Sequence, residues 1–337
     1  MQINQTYAQA ILGPPGTGKT TEIARLAQNH PHKQTLHLLT FTRQAAKQLA
    51  EKCRLPPKKS STIHAYAYRE QTWHTGKPPQ IATNNNPEHP WAKWLTENAP
   101  HLTHLTPQQQ KQTETAVEHH RNTLTPETEW DKIALDWWHQ KQQWMHHTGT
   151  TDFTQLIQNL HNYTPPFTHC IIDEAQDLTP LEMAIIAKWT NQQKHVTLVG
   201  DDDQALYTFR GSDPKNNLGQ IQNTRTLTQS WRCPTKIHNL ATNHIQQAHW
   251  RINKTWQPRK DGNPGTIHTK PWGTWTIPHT LNAAHKAATH KQNILILTPT
   301  THQTNKWHQQ LQNNGWLHGL PGETRFTTTP QGITTPG

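Results

Sequence analysis

The stretch GPPGTGKT, Gly13-Pro14-Pro15-Gly16-Thr17-Gly18-Lys19-Thr20, fits the spacing G-x-x-x-x-G-K-[ST]. The apolar run Ala10-Ile11-Leu12 before it reads as the end of a strand, and TTEIARLAQ after it reads as a helix. Glycine at three positions lets the backbone curl so that successive N–H groups face one anion. The following helix adds the positive end of its dipole to the same spot. In this pattern Lys19 reaches the β- and γ-phosphates of a nucleotide, Thr20 offers a hydroxyl to magnesium, and Thr21 flanks the cradle. The chain is thereby expected to be an α/β protein built on a parallel sheet.

Composition agrees with a folded α/β protein that has a very polar surface. Only 31% of the 337 residues are apolar, but they are gathered in short runs bounded by turn residues. The formal charge of +10 leaves out 26 histidines and favours a polyanionic partner. Cys53, Cys170 and Cys233 are too scattered for a disulfide framework or a thiolate metal site, which fits a reducing cytoplasm. The pairs His119-His120 and His146-His147 read as chance adjacency in a histidine-rich chain. No run is long and apolar enough to predict a membrane span, and none reads as a signal peptide.

Five β-rich runs are expected at Ala10–Leu12, Thr35–Thr42, His169–Ile172, His195–Gly200 and Asn293–Thr298, alternating with helices. Four of them lead straight into polar segments: the phosphate loop, TFTRQAAKQLA, DEAQD and GDDDQALYTFRGS. In parallel sheets ligands bind at the carboxyl ends of the strands, so these segments share one edge. Residues 75–149 read as a helical insertion. There Trp130, Ile133, Ala134, Trp137, Trp138, Lys141, Trp144 and Met145 keep helical spacing, as a core face or as a row of base-stacking platforms. Residues 1–74 and 150–229 then form the sheet domain, 230–318 part of a second one, and 319–337 a low-complexity tail.

Asp173 and Glu174 end a strand beside the phosphate loop. Asp173 can hold magnesium, and Glu174 can orient and deprotonate an attacking water. Gln204 follows another strand, where its amide can sense a γ-phosphate. Tyr207, Phe209 and Arg210 combine aromatic faces with a cation, as a grip on single-stranded nucleic acid requires.

Together these segments resemble the superfamily 1 helicases of the UvrD/Rep type. GPPGTGKT matches the first motif, TFTRQAAKQLAEK the TFT-x-x-A-A segment and STIHAYAYR the TFHSF segment. DFTQLI (Asp152–Ile157), IIDEAQD, GDDDQALYTFRGS and QSWRCPTKI follow in the family's order. The resemblance implies a RecA-like P-loop NTPase sheet with a helical insertion and a partial second RecA-like domain. It implies ATP and Mg2+ as cofactors, single-stranded DNA as partner and 3′→5′ movement. It also implies that Trp231 stacks on adenine, that Arg232 contacts the γ-phosphate, and that Phe41, Thr62, His64, Tyr207 and Phe209 touch the strand, with Thr40 and Arg43 close by. Since His64 is among these contacts, acidification from about pH 7.5 to 6 is expected to strengthen binding.

Three departures shape the expectation. The L-N-x-x-Q segment that reads adenine is missing, leaving Gln2, Gln5 or Gln9 for that role. GPPGTGKT is shared with Upf-type RNA helicases, which keeps an RNA helicase as an alternative. Neither of the last two family motifs is found, so the chain is expected to be truncated or split, with a second chain supplying those motifs. The corresponding alternative is an ATP- and DNA-binding module with little turnover of its own.

Overall fold

In this computed structural model the described residues are 2–82, 90–248, 251–268, 277–289, 295–298 and 300–313. The apolar runs become strands β1 (Ala8–Leu12), β2 (Leu36–Thr40), β6 (His169–Ile172) and β7 (His195–Gly200). Two short strands with no strong apolar signal, β3 (Ser60–Thr62) and β8 (Thr224–Thr226), complete a six-stranded sheet in the order β3-β2-β6-β7-β1-β8. Every pairing in it is parallel. β2 and the last five residues of β7 are buried, as expected of strands covered on both faces. A separate two-stranded parallel ladder joins β4 (Gln80–Ile81) to β5 (Thr150–Thr151). It clamps the entry and exit of the insertion side by side.

Parallel strands need crossovers, and helices α1 (Lys19–Asn29), α2 (Arg43–Cys53), α3 (Ile63–Thr75), α7 (Phe153–Asn159), α8 (Pro180–Asn191) and α9 (Pro214–Gly219) belong to them. Several start on side-chain caps: Thr42 accepts from Ala45 N–H at 3.1 Å, Thr62 from Ala65 N–H at 3.2 Å and Asp152 from Gln155 N–H at 2.7 Å. The insertion holds α4 (Trp91–Asn98), α5 (Pro107–Thr123) and α6 (Lys132–Thr148). Its own core gathers Trp91, Trp130, Trp137, Trp138 and Trp144 with Leu95, Val117 and Met145. The tryptophan face of α6 is therefore a core face and not a row of stacking platforms. Ile133 departs from that pattern and is exposed.

By contact the chain divides between Gly265 and Thr266. The described residues of 230–265, expected from sequence to open a second domain, fall within the first of these units, and they include α10 (Thr235–Ile245). The second unit shows α11 (Ile277–Thr289) and α12 (Thr301–Asn313). The strand expected at Asn293–Thr298 does not form over its described part, Leu295–Thr298. An apolar run forms a strand only where a partner strand takes up its backbone groups, and none is described beside it. The tail 319–337 lies outside the described residues.

Candidate nucleotide and nucleic-acid site

Because the sheet is parallel, the phosphate loop, TFTRQ, DEAQD and GDDDQ all emerge from the same edge. Gly13 donates its N–H to the carbonyl of Gly200 at 2.8 Å, tying the loop to the end of β7. Gly16 and Gly18 take φ of +73° and +90°, in the left-handed region that suits glycine. A Cβ at Gly13 would lie 2.1 Å from Lys19 Cγ, so only glycine lets the lysine fold over the loop. Lys19 Nζ donates to the Gly13 carbonyl at 2.8 Å. Thr17 Oγ1 braces the turn on the Pro14 carbonyl at 2.7 Å.

Residues 230–232 lie directly on this loop. Ser230 Oγ donates to the Pro15 carbonyl at 2.8 Å, and Trp231 N–H donates to the Gly16 carbonyl at 2.9 Å. Gly16 approaches so closely that a Cβ there would sit 2.5 Å from Arg232 Cβ. Trp231 nevertheless keeps 73% of its surface exposed beside the cradle, which leaves its indole face open to a planar ring. Tertiary contact thus joins two segments about two hundred residues apart.

Asp173 is buried at the end of β6, and its Oδ1 accepts from Glu174 N–H at 3.0 Å. Burial and the neighbouring Glu174 push its pKa up to about 6, with Lys19 pulling the other way. A carboxylate lifted like this has electrostatic room for a cation. Thr20 stands at the head of α1, directly after the phosphate loop. Glu174 sits at φ +57°, a left-handed conformation uncommon for a side chain of its size. Its Oε2 accepts from Gln176 Nε2 at 2.8 Å, and Gln176 Oε1 accepts from Asp201 N–H at 3.0 Å. Gln176, which sequence reasoning passed over, is thus the amide that joins the two strand ends. Gln204 instead turns its amide back onto Asp201. A clue was available: two adjacent acidic strand ends need a neutral donor between them.

Beside these groups runs an aromatic face. Phe41 and Tyr207 stack with ring centres 5.9 Å apart and 9° between planes, and Phe209 follows Tyr207 at 5.9 Å. Phe209 is 74% exposed, and the Arg210 guanidinium lies 5.8 Å from the Tyr207 ring. His64 meets the exposed Phe153 edge-on at 5.9 Å. Phe153, which sequence reasoning placed only within a motif, is the ring that meets His64. Thr62 is engaged as the cap of α3, whereas Arg43 opens α2 exposed to solvent. Burial and the charge of Arg210 push the His64 pKa down to about 4. This direction runs against the expectation that His64 supplies positive charge as pH falls from 7.5 to 6.

The three glutamines considered for adenine recognition do not reach this edge. Gln5 bonds to Gln220 and Gln222, and Gln9 Nε2 bonds to Thr197 Oγ1 at 2.6 Å. Gln2 and Gln5 precede β1, at the opposite edge of the sheet and a strand length from the loop.

Residues 2–210 match the family model described as an AAA domain. DNA helicase II of Escherichia coli (strain K12) is 27% identical over 159 residues, covering 42% of this chain and 22% of that protein. ATP-dependent DNA helicase UvrD2 of Mycobacterium bovis is 38% identical over 87 residues, 24% of this chain and 12% of its own length. ATP-dependent DNA helicase Rep of Buchnera aphidicola subsp. Schizaphis graminum is 39% identical over 62 residues, 18% and 9%. The matched part spans less than a quarter of each of these relatives.

Proposed function

The chain belongs to the AAA domain family, and from that premise we propose that it carries the ATP-hydrolysing, strand-gripping part of a UvrD/Rep-type DNA helicase. The observation that carries this reading is the hydrogen bonding of Asp177. Its Oδ1 accepts from the backbone N–H of Leu206 at 3.0 Å and of Tyr207 at 3.2 Å. The segment that holds the hydrolytic carboxylates therefore also sets the position of the aromatic face.

In this reading Gly13–Thr21 cradle the phosphates and Lys19 supplies their counter-charge. Thr20 and Asp173 would hold Mg2+, which neutralises phosphate charge when bound. Glu174, held by Gln176, takes the proton of the attacking water. Arg232 meets the terminal phosphate, Gln204 would meet it only on leaving Asp201, and Trp231 covers the base. Single-stranded DNA runs across Phe41, His64, Tyr207 and Phe209, near Arg43 and Arg210, stacking its bases on the exposed rings. The residues outside the insertion up to 229 act as the first RecA-like domain. The DNA helicases among the relatives support DNA over RNA as the strand. Among the described residues no helix is long and apolar enough to cross a membrane.

Lys19→Ala tests the assignment. Loss of the phosphate counter-charge should abolish hydrolysis and weaken nucleotide binding. An unchanged ATPase rate in a folded, purified variant would remove the phosphate loop from the mechanism.

A further inference from the structure

The run Asp201-Asp202-Asp203 carries three consecutive carboxylates, and nothing nearby in sequence neutralises them. The fold brings the cations from about fifty residues away. Lys254 is buried with its ammonium 3.1 Å from Asp201 Oδ1, 2.9 Å from Asp203 Oδ2 and bonded to Asp202. Arg251 meets Asp203 through Nε at 2.9 Å and Nη2 at 2.8 Å. Ile252 N–H adds a bond to Asp202 Oδ2 at 2.6 Å. Three carboxylates packed this closely in a buried site are costly without cations docked against them. Residues 251–254 therefore hold the acidic turn of the loop that leads from β7 to Tyr207, while Asp177 holds its far end at Leu206 and Tyr207.

The same segment then runs to the nucleotide loop. Gln257 N–H donates to the Thr228 carbonyl at 2.6 Å, and Ser230 N–H donates to the Gln257 carbonyl at 2.9 Å. Ser230 and Trp231 in turn hold the carbonyls of Pro15 and Gly16. One end of residues 251–257 thus grips the acidic loop before the aromatic face. The other end grips the strip that seats on the phosphate cradle.

We propose that residues 251–257 are a strut that makes the strand face and the nucleotide cradle respond as one body, with Lys254 and Arg251 as its positioning residues. The proposal rests on the nucleotide and DNA sites assigned above, and neither side chain touches either ligand. A strut of this kind transmits binding free energy, so the two ligands must change each other's affinity by the same factor. The test uses the full chain, a non-hydrolysable ATP analogue with Mg2+ and a labelled oligo-dT. The oligo-dT dissociation constant is measured with and without saturating analogue, in wild type, Arg251→Gln, Arg251→Lys and Lys254→Met. Wild type should show a change of about 5–150-fold, the usual size of such coupling. Arg251→Gln should bring the ratio close to one while affinity for the analogue alone stays within about threefold, and Arg251→Lys should fall between. Lys254→Met should do the same if it folds; Arg251→Gln leaves Lys254 on Asp203, so it decides the question if Lys254→Met does not. A variant that merely loosened the fold would lower the melting temperature and leave the ratio in place. A folded Arg251→Gln with the wild-type ratio overturns the strut, as does a wild type that binds both ligands with a ratio of one. A wild type that binds neither ligand overturns the functional assignment itself, and the strut falls with it.

Discussion

Replacing Asp152 with Asn removes one negative charge and almost no volume where the insertion meets the sheet. Asp152 holds Arg121 through two bonds, Nη1 to Oδ2 at 2.6 Å and Nη2 to Oδ1 at 3.1 Å, with Lys141 Nζ at 3.7 Å. The Arg121 side chain is only 2% exposed, and its guanidinium lies over Trp138 at 3.9 Å from the ring centre. Burial pushes the carboxyl of Asp152 up. The charge and hydrogen bonds of Arg121, with help from Lys141, outweigh that and hold it below its ordinary value. Asparagine caps a helix as well as aspartate, so the bond to Gln155 N–H survives and the substitution isolates the charge. Breaking a buried pair from one side costs about 3–5 kcal/mol, because the remaining cation stays in a poor dielectric. Lys141 keeps Glu114 at 2.9 Å, which places Asp152→Asn near the lower end, about 3 kcal/mol. Asp152→Ala should lose about 1 kcal/mol more with the cap. Urea unfolding of the full chain, followed by tryptophan fluorescence, reads this as a midpoint lowered by about 1–3 M. The sign with pH is fixed: a depressed carboxylate stabilises above its unfolded pKa, so the gap between wild type and Asp152→Asn should be full above about pH 4 and close as pH falls further. A loss under about 1 kcal/mol, or equal losses for Asn and Ala, would show that packing alone holds this junction.

Glu174→Gln should cut hydrolysis by roughly 10²–10⁴ while leaving nucleotide affinity nearly intact, measured by single-turnover ATPase and equilibrium binding; a comparable loss of binding would place Glu174 among the nucleotide holders instead. Phe209→Ala removes an exposed stacking ring and should weaken oligo-dT binding by roughly 5–150-fold, about 1–3 kcal/mol, an outcome excluded if anisotropy titrations overlay. His37 is buried against Tyr66 and Phe167. Burial, with Lys59 and Arg69 nearby, pushes its pKa down to about 4. The folded state then refuses a proton that the unfolded state takes below about pH 6.5, so stability falls as pH drops through that window, by about 2 kcal/mol at pH 5 from this one residue. His37→Leu should flatten the pH dependence of urea stability by that amount, and an unchanged slope would show that His37 is not the group refusing the proton.

Some of this protein was legible in residue order alone, because it depends on local patterns. The glycines of Gly13–Thr20 fix a loop through their own backbone freedom, and the apolar runs at His169–Ile172 and His195–Gly200 become strands with the expected bounds. Asp173 and Glu174 lie at a strand end because the run before them is buried on both faces. The rest depended on partners distant in sequence. Ser60–Thr62 and Thr224–Thr226 are polar segments that become strands only because neighbours in the sheet take up their backbone bonds. The apolar Leu295–Thr298 lacks such a partner among the described residues and forms none. No local rule pairs Asp152 with Arg121, encloses Asp201–Asp203 with Lys254, or assigns Gln176 rather than Gln204 to bridge the acidic strand ends. Charge, burial and hydrogen-bond supply are settled between segments, and only the tertiary structure brings those segments together.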